Sequence, residues 1–152
     1  MNITRTDTVG EDFARVGDKL SAYTIQKGAP AYNPLSITFT AASEAGEVLG
    51  EAVITENWGE VEINLLHVEE DQRGNGIGRR LIAAVEDFAR ALDAKVITLS
   101  SPTWQAGTRA GETGFYETCG YEVMDRIPVK SDIHGNDHQK VLYKKVLSPQ
   151  PE

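Results

Sequence analysis

The sequence predicts an α+β fold: a mixed, mostly antiparallel sheet with helices on both faces. Three observations carry that expectation. The apolar period switches along the chain between two residues and three to four, in the order β-α-β-β-β-α-β-α-β-β. From Leu35 to Val68 the pattern is a hairpin followed by a third strand in series. A glycine-rich loop then leads into an amphipathic helix and an apolar strand suited to a sheet centre.

Each element carries its own signal. Asn2 to Thr6 reads as a short strand. Val9, Phe13, Val16, Leu20 and Tyr23 recur at helical steps, and "KGAPAYNP" ends that helix with Pro30 and Pro34 as breakers. "LSITFTAA" and "VLGEAVITEN" alternate around the turn "SEAGE", making Leu35 to Asn57 a hairpin. After "NWG", Glu60 to Val68 is the third strand, and "EEDQRGNGIG" is a loop. Leu81, Ile82, Val85, Phe88, Ala89 and Leu92 mark one face of the next helix. "KVITLSS" is a strand, and "SPTWQAGTRAGETG" a long loop. "FYETCG" is a short helix whose Gly120 is placed as a C′ residue. "YEVMDRI" and "HQKVLYKKVL" are the last two strands, joined through "PVKSDIHGND".

A chain of 152 residues, 40% hydrophobic and 25% charged, reads as one globular domain able to bury its own core. The expected boundaries are 1–148 for the domain and 149–152 for a C-terminal tail. The formal charge of −8 argues against nucleic acid as a partner and agrees with a cationic substrate. A single cysteine, Cys119, leaves no internal disulfide and no cysteine cluster for a metal. No apolar leader and no run of about 18 apolar residues is present, so a cytoplasmic protein without membrane attachment is expected.

Gly74, Gly76 and Gly78 sit between a strand and a helix. Backbone amides without Cβ atoms between them can converge on an anion, and a helix start adds unpaired N–H groups. The helix dipole supplies only about 0.3–2 kcal/mol, so hydrogen bonds must supply the rest. Arg73, Arg79 and Arg80 bracket the loop and can screen a polyphosphate. A P-loop is excluded because Arg79-Arg80 stand where Lys-Ser/Thr is needed. A dinucleotide fingerprint is excluded because the spacing is G-x-G-x-G and "KVITLSS" ends in serines rather than an acid.

With Arg73-Gly74-Asn75-Gly76-Ile77-Gly78 the chain resembles the GNAT (Gcn5-related N-acetyltransferase) superfamily, whose hallmark is Arg/Gln-x-x-Gly-x-Gly/Ala. "INLLHV" before it and "GFYETCGY" after it match the family's other markers, so the resemblance covers essentially the whole chain. "PLSITF", "WGEVEINLLHV" and "SPTWQAG…GFYETCGY" further resemble a group of small bacterial members of mostly unassigned substrate. One departure is the insertion "GTRAGET", Gly107 to Thr113, which bears on the substrate edge and not on the cofactor site. The resemblance implies a GNAT-like N-acetyltransferase domain with acetyl-CoA as co-substrate and no metal. It implies pyrophosphate on the amides of Arg73, Gly74, Asn75, Gly76, Ile77, Gly78 and Arg79. It also implies that the strand ending at Leu66, His67 and Val68 splays from "KVITLSS" to take the pantetheine arm. An amide near His67 or Val68 would then polarise the thioester carbonyl. A homodimer is also common among such proteins.

Acetyl transfer to an amine needs the neutral amine, and deprotonating a lysine-like amine at pH 7 costs roughly 4–5 kcal/mol. A general base or acid typically contributes about 10²–10⁴-fold. By the resemblance, Tyr116 points at the CoA sulfur and serves as the acid, while Phe115 packs the short helix. Strand alternation puts Glu62, Asn64 and Leu66 on one face and Val61, Ile63 and Leu65 on the other. An acid on that polar face, six residues before Val68, resembles the placement of the base in histone-type members of the family, which makes Glu62 the candidate base, with Glu60 as the alternative nearer solvent. His134 and His138, with Asp132 and Asp137, read as a polar hairpin tip rather than a metal site, and the resemblance implies that this loop lies near the acceptor side. Trp104 and Tyr23 are further candidates for the acceptor cleft, and Cys119 reads as a small buried hydrophobe. The expected activity is acetyl transfer to a primary amine of a small molecule or peptide. The other class of reading is a non-catalytic CoA-binding module, which would have no reason to keep both Tyr116 and Glu62.

Overall fold

The structure is a computed structural model that describes residues 3, 10–103, 114–130 and 137–148. The expected first strand (apart from Ile3), Trp104, the insertion Gly107–Thr113, Asp132, His134 and the tail 149–152 lie outside the described residues.

Two compact units divide at Pro34, Met1–Pro34 and Leu35–Glu152. The first holds α1, Glu11–Gln26, with Glu11 and Asp12 in the first turn where the positive dipole end favours acids. Gly28 at φ 82 ends it, donating to Ile25 O while Ala29 N reaches Thr24 O. The helix therefore stops before the prolines, at a glycine that can take the left-handed conformation.

The second unit contains β1 (Leu35–Ala42), β2 (Val48–Asn57), β3 (Glu60–Val68), α2 (Ile77–Ala91) and β4 (Val96–Pro102), then α3 (Phe115–Thr118), β5 (Glu122–Val129) and β6 (His138–Val146). A 3₁₀ turn at Glu70–Gln72, unforeseen from the sequence, stiffens the start of the glycine loop. The strands form one six-stranded mixed sheet, in the order β1-β2-β3-β4-β6-β5. Only β3 and β4 run parallel. The class is α+β, as expected. Trp58 (φ 54) and Gly59 (φ 79) make a two-residue turn between β2 and β3, the hand that matches strand twist.

The core lies where α2 covers one face of this sheet. Leu81, Ile82, Val85 and Ala89 of α2 are buried with Ala52, Ile54, Val61, Ile63, Ile97, Leu99 and Val141 of the strands. Each large aliphatic side chain so buried contributes about 1.5–3 kcal/mol. Phe39 and Phe88 meet edge to face at 5.9 Å.

Two irregularities of β3 open the middle of the sheet. Between β2 and β3 the register runs Ile54↔Ile63 and then Val53↔Leu65, leaving Asn64 as a bulged residue. Between β3 and β4 pairing is confined to Val61↔Ile97, Glu62↔Thr98 and Ile63↔Leu99, although both strands continue. The two strands part just where the bulge bends β3. The bulge also corrects the expected alternation. Leu66 pairs with Ala52 and Val68 with Gly50, which puts them on the α2 face with Val61 and Ile63. Leu65 and His67 change sides to join Glu62. An extra residue in a strand reverses the facing of everything after it.

Candidate active site

The splay opens a cleft of about 960 Å³ between the end of β3, the glycine loop, the first turn of α2, the end of β4 and the start of α3. That volume is within the range of sites that hold a cofactor or drug-sized ligand. From Asn64 onward β3 has no pairing partner on β4, so backbone groups on that edge are available to an extended ligand.

The loop is built for close approach. Gly74 and Gly76 both have φ 80, the left-handed region in which a side chain is strained, and a Cβ at either would meet no atom within 4 Å. Gly76 is the N-cap of α2 and no side chain caps that end, so the first amides of the helix are not taken by a capping group. Arg73 donates from Nε to Val68 O at 3.0 Å, tying the loop back onto the end of β3. Gly78 has an ordinary φ and a different reason for being glycine. A Cβ there would lie 3.0 Å from Phe115 Cζ, so α2 and α3 touch at that point.

Helix α3 presents Tyr116 to the same cleft. Its short length is closed by Gly120 at φ 89, with Gly120 N donating to Glu117 O and Tyr121 N to Tyr116 O. This double closure is the one expected of a C′ glycine. The Tyr116 ring packs against Phe115 (5.3 Å), Tyr143 (5.4 Å) and Tyr121 (6.2 Å). Burial, with smaller contributions from Tyr143 and Cys119, pushes its phenol up to about 12. The hydroxyl is therefore fully protonated at neutral pH. Complete proton transfer from such a phenol to a thiolate of ordinary pKa near 8.5 would run uphill by about 5 kcal/mol. Tyr116 is better suited to donating a strong hydrogen bond than to losing its proton.

Most of the residues expected to hold the cofactor come together here. Leu66, His67 and Val68 line the cleft from β3, and Arg73, Gly74, Gly76, Ile77, Gly78 and Arg79 line it from the loop and α2. Asn75, exposed between two left-handed glycines, is not among the lining residues. Glu62 is exposed and also outside the lining set, but it sits in the last three β3–β4 pairs, beside Ile63. The bulge gives it the face of Leu65 and His67, which do line the cleft. Glu60 opens β3 opposite Asn57, farther from the splay. His67 is an exposed strand residue whose Nε2 lies 3.7 Å from Glu69. Cys119 is half-buried, and burial raises its thiol. His138 begins β6, and among the described residues no group of His, Cys, Asp and Glu could hold a metal.

Ser100 and Ser101, which sequence reasoning does not single out, line the cleft across from β3. A signal for them exists: an apolar strand that ends in two hydroxyls has polar groups at the point where its partner leaves.

The family model for the acetyltransferase (GNAT) family matches residues 7–121. This chain belongs to the GNAT acetyltransferases. It is 35% identical over 96 residues to the blasticidin-S acetyltransferase of Streptomyces morookaense, an overlap of 62% of this chain and 67% of that protein. In fold it is similar to an acetyltransferase from Bacillus cereus ATCC 14579, with TM-score 0.70 and 20% identity over 95% of this chain and 98% of that one. It also resembles an aminoglycoside 6′-N-acetyltransferase in complex with coenzyme A, with TM-score 0.61 and 20% identity over the whole of both chains.

As a GNAT member the chain is an acetyl-CoA-dependent acyltransferase. Acetyl-CoA, when bound, would supply the acetyl group as an activated thioester and leave as the free thiol. The donor set fits it: a loop whose glycines leave open space at the helix start, arginines beside it, and an unpaired strand edge leading to a phenol. Among the described residues no helix is long and apolar enough to cross a membrane.

Proposed function

We propose that this protein transfers the acetyl group of acetyl-CoA to a primary amine of a small, cationic molecule, by direct attack of the amine on the thioester. The observation that carries the reading is one cleft in which the glycine loop, the unpaired edge of β3 and the Tyr116 phenol converge. Amides of Arg73 to Arg79 take the pyrophosphate, the β3 edge at Leu66, His67 and Val68 takes the pantetheine arm, and Tyr116 hydrogen-bonds the departing thiolate. Glu62 accepts the amine's proton through a water. What supports that assignment is its place beside Ile63, on the face it shares with Leu65 and His67. Kinship with a blasticidin-S acetyltransferase favours an amine-bearing antibiotic over a protein amine, and the net charge of −8 agrees with a cation. A cytoplasmic location, with Cys119 as a free thiol, belongs to the same reading.

The test is thiol release from acetyl-CoA across a panel of amines: blasticidin S, aminoglycosides, polyamines, amino acids and a lysine peptide. Turnover concentrated on one basic antibiotic supports the proposal. Turnover only on the peptide, or on none of the panel, would reject it.

A further inference from the structure

Glu86 is the one charged residue buried among the described residues, 7% exposed on the inward face of α2. Its Oε1 accepts a 2.8 Å hydrogen bond from Lys145 Nζ of β6, and Arg90 lies 3.7 Å from Oε2. The same Lys145 Nζ donates at 2.8 Å to the carbonyl of Cys119, which follows α3, and stands 5.6 Å from the centre of the Tyr121 ring. An aliphatic residue would suit a helix face otherwise lined by Leu81, Ile82, Val85 and Ala89. Buried ion pairs are weak devices for stability, since desolvation offsets most of their attraction. The pair therefore asks for another explanation.

That explanation lies in α3. A helix of four residues cannot sustain itself, because nucleating a first turn costs more than its few bonds return. The carbonyls of Phe115, Tyr116 and Glu117 are taken by nearby amides later in the chain. Those of Thr118 and Cys119 are met by side chains from elsewhere: Arg79 Nη1 at 3.5 Å and Lys145 Nζ at 2.8 Å. We infer that Glu86 and Lys145 are positioning residues: Glu86 holds the Lys145 ammonium on the Cys119 carbonyl, which anchors α3 to α2 and β6 and so fixes the Tyr116 phenol in the cleft. The Tyr121 amide bond to Tyr116 O links the anchor to the residue it positions. This inference rests on the reading of Tyr116 as hydrogen-bond donor to the leaving thiolate.

The experiment compares Glu86→Leu/Lys145→Met, which removes both charges together and leaves no lone buried ion, with the wild type. Turnover should fall about tenfold, KM for acetyl-CoA should stay within twofold, and the melting temperature should hold. Glu86→Gln alone keeps an acceptor for Lys145 and should retain turnover within twofold. In a Tyr116→Phe background the double change should cause no further loss. Hydrogen exchange of the Gly120 and Tyr121 amides, which close α3, should quicken at least tenfold in the double variant and stay near wild type in Glu86→Gln. If the apolar pair does not fold, Glu86→Gln/Lys145→Met serves the same comparison. Wild-type turnover in the folded double variant, unchanged amide exchange, or an equal further loss without the Tyr116 hydroxyl would each overturn the inference. Wild-type turnover in Tyr116→Phe alone would instead reject the role of the phenol, while the exchange experiment still reports on the anchor.

Discussion

Gly78 and Phe115 touch so closely that a Cβ on the glycine would lie 3.0 Å from the ring's Cζ and 3.2 Å from Cε2. The first turn of α2, which borders the glycine loop, thus abuts the residue next to Tyr116. Adding a methyl group at Gly78 must displace the ring, and overpacking of this kind costs about 1–3 kcal/mol, offset in part by roughly 1 kcal/mol of helix propensity. Gly78→Ala should therefore fold with a slightly lowered Tm and lose about tenfold in kcat. Melting curves and steady-state kinetics check it; wild-type kcat would show that Phe115 yields without moving Tyr116.

Gly76→Val puts a branched side chain at φ 80 and into the open space before the helix. Binding of acetyl-CoA should be lost while far-UV circular dichroism is retained. Calorimetry showing wild-type affinity in the folded variant would refute the assignment of the loop.

Tyr116→Phe keeps the ring contacts and removes the hydroxyl. An interaction made in the transition state lowers kcat and leaves ground-state binding alone, so kcat should fall by about 10–10³-fold at near-constant KM for acetyl-CoA. Because the phenol is pushed up to about 12, its protonated form persists to high pH. The ratio of wild-type to variant kcat should then stay flat from pH 7 to 10. A ratio that collapses in that window would contradict a protonated donor.

Glu62→Gln preserves shape and removes the base. Its deficit in kcat/KM should be largest at neutral pH and shrink as the pH nears the amine's own pKa, where free amine needs no help. A pH–rate profile with one active amine decides this. Identical profiles would leave Glu60 or bulk water as the base.

Burial raises the phenols of Tyr116, Tyr121 and Tyr143 above their ordinary value, with the Glu86 carboxylate adding to the shift at Tyr121. A raised folded-state pKa means the stability is complete below pH 10 and falls as the unfolded chain ionises while the folded one resists. Each such group steepens the loss by up to about 1.4 kcal/mol per pH unit above pH 10. Urea midpoints at pH 8, 10 and 11 should show little change over the first interval and a marked drop over the second. The Tyr143 hydroxyl is buried with no hydrogen-bond partner among the described residues. Since an unsatisfied buried hydroxyl costs about 1–3 kcal/mol, Tyr143→Phe should hold or raise stability at pH 7 and lessen the alkaline drop. A strong loss at neutral pH would reveal a partner for that oxygen.

Sequence periodicity determined the kind of the described strands and of the two long helices, because burial of one face imposes a period that local residues must obey. It located β3 at Glu60–Val68 and the apolar face of α2 at Leu81, Ile82, Val85 and Ala89, and the glycines between them, with their neighbouring arginines, marked a candidate anion loop. Only the tertiary structure decided the rest. The bulge at Asn64 moved Leu66 to the α2 face, the parting of β3 from β4 opened the cleft and brought in Ser100 and Ser101, and Lys145 met Glu86 across 59 positions of chain. Periodicity records which side of an element is buried, whereas register, splay and ion pairing depend on what the other strands and helices do, and no local window contains that information.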